Sequence, residues 1–154
     1  MATIADVAAY ILHEAAPMTS MKLQKLCFYS FGYHLAWEER ELFPEHFEAW
    51  ANGPVSPDLY RMHRGQYRLD RGDIPGDLDA LDEGERESVN LVLSALGEFT
   101  AHQLSTMTHQ EPPWMRARER ASVADLERST EVLLNADIEE FFTTLTARDS
   151  DLDG

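Results

Sequence analysis

The fold is decided in residues 47–60, which read Phe47-Glu48-Ala49-Trp50-Ala51-Asn52-Gly53-Pro54-Val55-Ser56-Pro57-Asp58-Leu59-Tyr60. In an extended chain the first four residues place Phe47 and Ala49 on one side and Glu48 and Trp50 on the other, which indicates a short strand. The tripeptide Asn52-Gly53-Pro54 then predicts a turn, because Asn and Gly tolerate positive φ and Pro fixes its own φ while lacking an N–H donor.

A helix start follows this turn directly. Ser56 has the side chain of an N-cap, Pro57 suits the first helical position, and Asp58 would lie against the positive end of the helix dipole. The helix is predicted to end near Arg64, because Gly65 is a natural stop. The stretch therefore predicts a rigid strand–turn–helix corner.

Helical periodicity and capping residues predict further helices on both sides of this corner. The predicted segments are 4–15, 20–39, 83–97, 101–108, a short helical turn at 114–120, and a last helix capped by Asn135. The segment 20–39 is apolar on more than one side, so it is predicted to be the buried central helix. The fold class is accordingly mainly α: a compact single-domain helical bundle with a short β element around residues 47–55.

Two further segments are predicted to lack helix. Residues 132–134 are predicted to be extended. Residues 69–81 contain two glycines, a proline and several aspartates, which is typical of a mobile acidic loop. If the helix after Ser56 persisted, the arginines near it would form a basic stripe; they are Arg61, Arg64, Arg68 and Arg71.

The charge balance argues against a nucleic-acid binder. The 154 residues include 13 basic and 28 acidic side chains, a net charge of −15. Binding to phosphates requires the opposite balance, and an acidic surface attracts a basic protein partner instead. Solubility alone is an alternative explanation of the same acidity.

The sequence contains no signal for secretion or for a membrane span. Its apolar runs fall short of the roughly 18 residues that a membrane helix needs, and its N-terminus lacks the basic region of a secretory signal. Cys27 is the only cysteine, so an internal disulfide cannot form. These features predict a cytoplasmic protein.

Tests for catalytic and metal-binding patterns give no candidate site. The sequence lacks a His-Glu-x-x-His motif, a Gly-x-Ser-x-Gly elbow and a P-loop. Cys27 lies in an apolar helix stripe, which favours a buried thiol. His109 is interpreted as a polar anchor for the turn before Pro112. We therefore predict no catalytic, cofactor-binding or metal-binding residues, and we expect the three tryptophans, Trp37, Trp50 and Trp114, to belong to the core.

Three blocks of sequence together resemble a known family. They are Met18-Thr19-Ser20-Met21-Lys22-Leu23-Gln24-Lys25-Leu26-Cys27-Phe28-Tyr29-Ser30-Phe31-Gly32-Tyr33-His34; Leu42-Phe43 followed by Glu48-Ala49-Trp50, Gly53-Pro54-Val55, Pro57 and Leu59-Tyr60; and Leu104-Ser105 followed by Thr108-His109, Pro113-Trp114 and Ala117. Their order and spacing resemble the Panacea antitoxin domain. The resemblance covers about residues 3–146 and leaves an acidic tail at 147–154.

The resemblance implies a helical domain with a short β element that neutralises a protein toxin by direct contact. The family includes an antitoxin that acts as a proteolytic adaptor, so the alternative is delivery of the toxin to an AAA+ protease. A third hypothesis, from a different class, is a hydrolase that uses His109 and a carboxylate. The family has no established catalytic residues, so none are carried over, and we expect neither a nucleic acid nor a membrane as partner.

The resemblance also separates scaffold from partner-binding candidates. The shared motif residues are expected to be scaffold; they are Lys22, Leu23, Gln24, Lys25, Trp50, Gly53, Pro54, Pro57, Tyr60, His109, Pro113 and Trp114. Partner binding is assigned to more variable charged surface. The candidates are the acidic residues Asp77, Asp79, Asp82 and Glu83, and the arginines Arg61, Arg64 and Arg68. The acidic C-terminal end, residues 137–153, is a second candidate recognition surface.

Overall fold

A computed structural model describes the backbone of residues 1–153 and the side chains of residues 1–147. It contains seven α-helices: α1 (Ile4–Ala15), α2 (Ser20–Glu38), α3 (Pro57–His63), α4 (Glu83–Leu96), α5 (Ala101–His109), α6 (Pro112–Arg120) and α7 (Asn135–Asp153). Its strands are β1 (Met18–Thr19), β2 (Glu48–Trp50), β3 (Gly53–Val55) and β4 (Arg68–Leu69), and a 3₁₀ helix spans Leu78–Ala80. The predicted fold class, a compact and mainly helical domain with a short β element, is confirmed.

Local capping chemistry sets where three of the helices begin. Thr3 and Asp6 form a capping box at α1, Asp82 and Glu85 form one at α4, and a third precedes α5. In each box a side chain at the N-cap accepts from a backbone N–H that has no partner inside the helix. The predicted starts of these helices are confirmed for this reason.

Helix α2 is the centre of the domain. It packs against α1, α4, α5 and α7, and 13 of its 19 residues are buried. An aromatic cluster, most of whose rings meet edge to face, fills the space between α2, α7 and the chain before β2; its members include Phe28, Tyr29, Phe31, Phe43, Phe47 and Phe142. Asn135 at the start of α7 donates to Glu41 just after α2, so the two helices run antiparallel. The prediction of a central buried helix is confirmed.

The β element is a hairpin rather than a single strand. β2 and β3 pair antiparallel, with Trp50 opposite Gly53 and Ala49 opposite Pro54. The turn lies at Ala51 and Asn52, so the predicted turn at residues 52–54 is wrong for Gly53 and Pro54, which lie in the second strand. The predicted start of α3 is confirmed, with Ser56 as its N-cap and Pro57 as its first residue. The N–H of Ala49, the residue opposite Pro54, donates to Glu131, and its C=O accepts from Arg118. The Ala49–Pro54 pair therefore forms no hydrogen bond between β2 and β3, and a proline without an N–H is tolerated there.

The segment 131–133 extends the hairpin on its other side. Ala49 donates to the carbonyl of Glu131 at 2.8 Å, and Leu133 donates to the carbonyl of Phe47 at 2.9 Å. The prediction of an extended segment at 132–134 is confirmed. The helix that follows, α7, continues as backbone through the predicted acidic tail to Asp153, and the tail's side chains from residue 148 onward lie outside the described residues.

The segment 69–81 is a loop with one turn of 3₁₀ helix, and three of its apolar side chains are buried in the domain. Leu69 pairs with Met18 in the small β1–β4 sheet, which the sequence did not indicate. Ile74 and Leu81 are buried at 2% and 1% exposure. These two side chains belong to the hydrophobic core, and the 3₁₀ helix of the segment contacts α1.

The tryptophans differ in burial, and the prediction that all three belong to the core is wrong for two. Trp114 is 6% exposed, Trp50 is half-buried, and Trp37 is 42% exposed. Trp37 lies near the end of α2, on the side that faces away from the core, and its ring stacks on Tyr33 with centroids 5.1 Å apart. Helix α2 therefore also presents an apolar side chain to solvent.

Candidate functional site

Gln24 on α2 joins the central helix to the start of α3. Its side-chain oxygen accepts from the N–H of Ser56 at 2.8 Å, and its amide nitrogen donates to the carbonyl of Ser56 at 3.1 Å. The same nitrogen lies 3.0 Å from Nε2 of His63. All three residues are buried, so these bonds are shielded from water and fix the residue that caps α3.

Lys25 is fully buried beneath β3, at 1% exposure. Its Nζ donates to the carbonyl of Pro54 at 3.0 Å. Among residues 1–147 no carboxylate forms an ion pair with this amine. Burial without a counter-charge lowers the pKa of Lys25 from 10.5 to about 7. The amine is therefore close to half-neutral at neutral pH.

Gly53 provides the space that Lys25 occupies. Its φ is +119°, and a Cβ at this position would lie 2.6 Å from Cε of Lys25 and 2.7 Å from Oγ1 of Thr108. Contacts this short do not occur between real side chains, so two independent reasons require glycine. The Lys25 and Gly53 motifs therefore depend on each other: the Lys25 side chain packs where a side chain at position 53 would otherwise lie.

Two side chains of α6 hold the opposite strand of the hairpin. Trp114 donates from Nε1 to the carbonyl of Trp50 at 2.8 Å, and Arg118 donates to the carbonyl of Ala49 at 3.0 Å. The guanidinium carbon of Arg118 lies 5.2 Å from the Trp114 ring centroid, within cation–π distance. We call Gln24, Lys25, Trp114 and Arg118 the hairpin clamp, because together they bind both ends of the β2–β3 region to α2 and α6.

Arg118 also orders the chain that follows α6. Its Nη2 donates to three backbone carbonyls, at 2.6 Å to Ala124, 3.2 Å to Asp125 and 2.7 Å to Glu127. The side chain is buried at 5% exposure. Sequence reasoning missed Arg118, because it lies among other charged residues and nothing in the sequence distinguishes it from them. The i to i+4 spacing from Trp114 is the signal that places both side chains on one face of α6.

His109 packs flat on Trp114, with ring centroids 4.3 Å apart and an angle of 19° between the planes. Burial lowers the pKa of His109, Lys25 and Arg118 lower it further, and a hydrogen bond with the backbone of Ala51 opposes these effects. The imidazole is therefore neutral near pH 7 and stacked between secondary-structure elements. This geometry is that of an anchor for the α5–α6 turn.

The remaining motif residues also contact the scaffold. Lys22 donates from Nζ to the carbonyl of Gly97 at 2.6 Å and so ties α2 to the end of α4. Leu23 is fully buried in the core. Tyr60 meets Trp50 edge to face at 5.0 Å. Pro57 and Pro113 lie in the first turns of α3 and α6, where a missing N–H costs little.

The four acidic candidates for partner binding have different roles. Asp82 caps α4 and pairs with Arg40 at 2.9 Å, and Asp77 caps the 3₁₀ helix while its own N–H donates to Asp6. Asp79 and Glu83 are exposed, and within the described side chains neither forms an ion pair. Only Asp79 and Glu83 are therefore available to a partner without loss of a cap.

The predicted arginine stripe does not form. Helix α3 ends at His63, so Arg64 follows the helix as its C-cap and Arg68 lies in β4. Arg61 remains on α3, where it pairs with Asp58. The positive φ of Gly65 redirects the chain between these residues, and the helical spacing on which the prediction relied is lost.

A half-buried acid was also missed by sequence reasoning. The hydroxyl of Tyr29 donates to Glu111 at 2.9 Å, and burial raises the pKa of Glu111 to about 7. Tyr29 lies on α2 and Glu111 precedes α6, so this bond ties the same two helices as the hairpin clamp. The residues next to Tyr29 and Glu111 in the sequence give no indication of this hydrogen bond.

The described residues contain no group of three or more histidine, cysteine, aspartate or glutamate side chains that could hold a metal ion. None of the helices, over the residues described, is long and apolar enough to cross a membrane.

The pH dependence of stability reports on Lys25. The folded pKa is about 7, below the unfolded value of 10.5, so between these pH values the unfolded chain binds a proton at Lys25 that the folded chain lacks. The contribution of this residue to the free energy of unfolding therefore rises with pH, by up to about 1.4 kcal/mol per pH unit. Urea unfolding at several pH values measures this: the stability of the wild type relative to Lys25→Met should increase along the series. Parallel pH profiles would show that Lys25 is not buried as a perturbed amine.

Comparison with known proteins identifies one matching family and one curated relative. The family model described as "Antitoxin SocA-like, Panacea domain" matches residues 23–115, which include most of the hairpin clamp. A curated relative, Antitoxin SocA from Caulobacter vibrioides (strain NA1000 / CB15N), is 32% identical over 124 residues. The alignment covers 70% of this chain and 66% of the relative, slightly less than two thirds of its length. No solved structure matches the chain significantly.

Proposed function

The chain belongs to the SocA-like Panacea antitoxin family, and from this premise we propose that it is the antitoxin of a toxin–antitoxin pair that neutralises a protein toxin by direct contact. The observation that carries the proposal is the family match over residues 23–115. The clamp residues within this range hold the β2–β3 hairpin to the core, which leaves the outer surface of the domain to bind a partner. The family points to a non-enzymatic role.

The test is co-expression with the product of the adjacent open reading frame. We expect this product alone to arrest growth and the wild-type chain to restore it. A control is Gly53→Val, which keeps the acidic surface but should be strongly destabilised. Unchanged arrest in the presence of the folded wild type would contradict the proposal.

Delivery of the toxin to an AAA+ protease is the alternative mechanism. The two mechanisms differ in what happens to the toxin. A neutralising antitoxin leaves the toxin's half-life unchanged or lengthens it, whereas an adaptor shortens it in a protease-dependent way. Toxin half-life with and without this chain, in strains that lack individual AAA+ proteases, separates the two.

The acidic surface is proposed to accelerate encounter with a basic toxin. Charge reversal of Asp79 and Glu83 to Lys should slow association several-fold and flatten its salt dependence, with little change in dissociation. The effect should fade above roughly 0.15 M salt, where the Debye length is about 8 Å. Asp77 and Asp82 are left intact because they cap helices.

The control for this experiment is charge reversal of Glu98 and Glu119, which are exposed, lie outside both acidic candidate surfaces and change the net charge equally. Stopped-flow association across a salt series measures both variants. If the control slows association as much as the test variant, only the net charge matters. If neither affects the rate, the acidity has no role in recognition.

A further inference from the structure

An apolar patch lies exposed on two core helices. Trp37 on α2 is 42% exposed and Leu91 on α4 is 48% exposed, and both line one groove of about 200 Å³. Its other walls are Glu38, Gly84, Glu87 and Ser88. We call this feature the Trp37 groove.

The indole of Trp37 is packed on other rings. Trp37 stacks on Tyr33 at an angle of 27°, and Tyr33 in turn meets the buried ring of Phe142 edge to face at 4.8 Å. The exposed indole is thus supported by a chain of rings that ends in the core. A side chain held in this way loses little conformational entropy on binding, and tryptophan is among the residues most often found at the energetic centre of interfaces.

The rim of the groove is acidic. Glu38, Glu83 and Glu87 lie in or beside it, and none of them forms an ion pair with a described side chain. The nearby arginines are engaged elsewhere: Arg40 pairs with Asp82 and Glu85, and Arg86 donates to the carbonyl of Leu81. The apolar floor is therefore bordered by three glutamates that have no ion-pair partner among the described side chains, with Arg86 the one base beside Glu83 and Glu87.

We propose that the Trp37 groove is the docking site for a basic amphipathic helix of the toxin. An apolar side chain of that helix inserts between Trp37 and Leu91, and its lysines or arginines reach the glutamates of the rim. A groove between two helices suits a third helix, the helix-in-groove mode of recognition. The inference rests on the proposed antitoxin function, because it identifies the toxin as the occupant.

Other occupants fit the groove less well. Its volume is below the roughly 300–1,000 Å³ of small-molecule sites. A second copy of this chain would bring one acidic rim against another in a molecule of net charge −15, which is repulsive. The charge and the shape together favour a basic helix.

The first test uses a defined probe, a synthetic amphipathic peptide of leucine and lysine of about 15 residues, long enough to form a helix. Its scrambled isomer has the same charge without the apolar face. Calorimetry should give saturable binding of the amphipathic peptide, at least tenfold weaker for Leu91→Glu and unchanged for Met115→Glu. Met115 is a matched control, because it is 49% exposed and lies on α6. Equal binding by all three proteins, or equal binding of the scrambled peptide, would overturn the proposal.

The second test measures growth of cells that express the product of the adjacent open reading frame. Leu91→Glu and Trp37→Gln should lose the rescue given by the wild type, while Met115→Glu keeps it. Thermal melting confirms that the variants fold. If Leu91→Glu and Trp37→Gln rescue as well as the wild type, the groove proposal fails and the antitoxin function stands. If the wild type itself fails to rescue, the antitoxin function fails, and with it the identification of the toxin as occupant.

Discussion

Gly53→Val should destabilise the protein strongly. The φ of +119° at this position is closed to a β-branched residue, and backbone strain of this kind costs about 1–3 kcal/mol. The new side chain would also collide with Lys25 and Thr108, and overpacking of a buried site costs about 1–3 kcal/mol more. The sum is a large part of the roughly 5–15 kcal/mol that typically stabilises a domain.

The control separates the two causes. Gly65 has a φ of +86°, but a Cβ added there would meet no atom within 4 Å, so Gly65→Ala adds backbone strain without a collision. Gly53→Ala should therefore destabilise the protein clearly more than Gly65→Ala in urea unfolding. Equal losses would mean that the close approach of Lys25 to Gly53 does not exist in solution.

Arg118→Met should be the second most damaging change. It removes the donor for four backbone carbonyls, and a buried acceptor left without a partner costs about 1–3 kcal/mol. The carbonyl of Ala49 is buried between β2 and α6, whereas those at 124–127 can be rehydrated. The other three hydrogen bonds each contribute about 0.5–1.5 kcal/mol, so we expect a total loss of about 3–5 kcal/mol in the free energy of unfolding.

Two further variants give this prediction its specificity. Arg118→Lys should not restore stability, because a single ammonium cannot replace a planar fork that reaches carbonyls on two sides. Arg116→Met lies on the same helix but removes only surface ion pairs with Asp137 and Glu140, so its effect should be much smaller. Hydrogen exchange should show lost protection of Ala49 and of Glu127 in Arg118→Met. Similar losses for Arg116→Met and Arg118→Met would contradict the role assigned to the buried guanidinium.

The helices were predictable because their signals are local. Each of the three capping boxes lies within four consecutive residues, so the sequence alone identifies both partners. The small β1–β4 sheet was not predictable, since it joins two-residue strands separated by about fifty residues. Strands this short carry no periodicity, and their pairing depends on how α1 and α3 pack.

The hairpin clamp shows a different limit. Lys25 and Gly53 stand out as sequence motifs. The neighbouring residues do not indicate, however, that the Lys25 side chain packs where Gly53 lacks a Cβ. Arg118 was missed entirely, because its partners are backbone carbonyls and leave no trace in the sequence. Trp37 was misplaced for the opposite reason: residue type suggested the core, whereas its position on α2 puts it at the surface.

Direct contact with a toxin is the central claim, and titration calorimetry tests it most directly. The purified chain is titrated into the purified product of the adjacent open reading frame, with no protease present. We expect saturable binding that weakens at least tenfold with Leu91→Glu and is unchanged with Met115→Glu. The absence of binding, with growth rescue by the wild type intact in cells, would contradict neutralisation by direct contact.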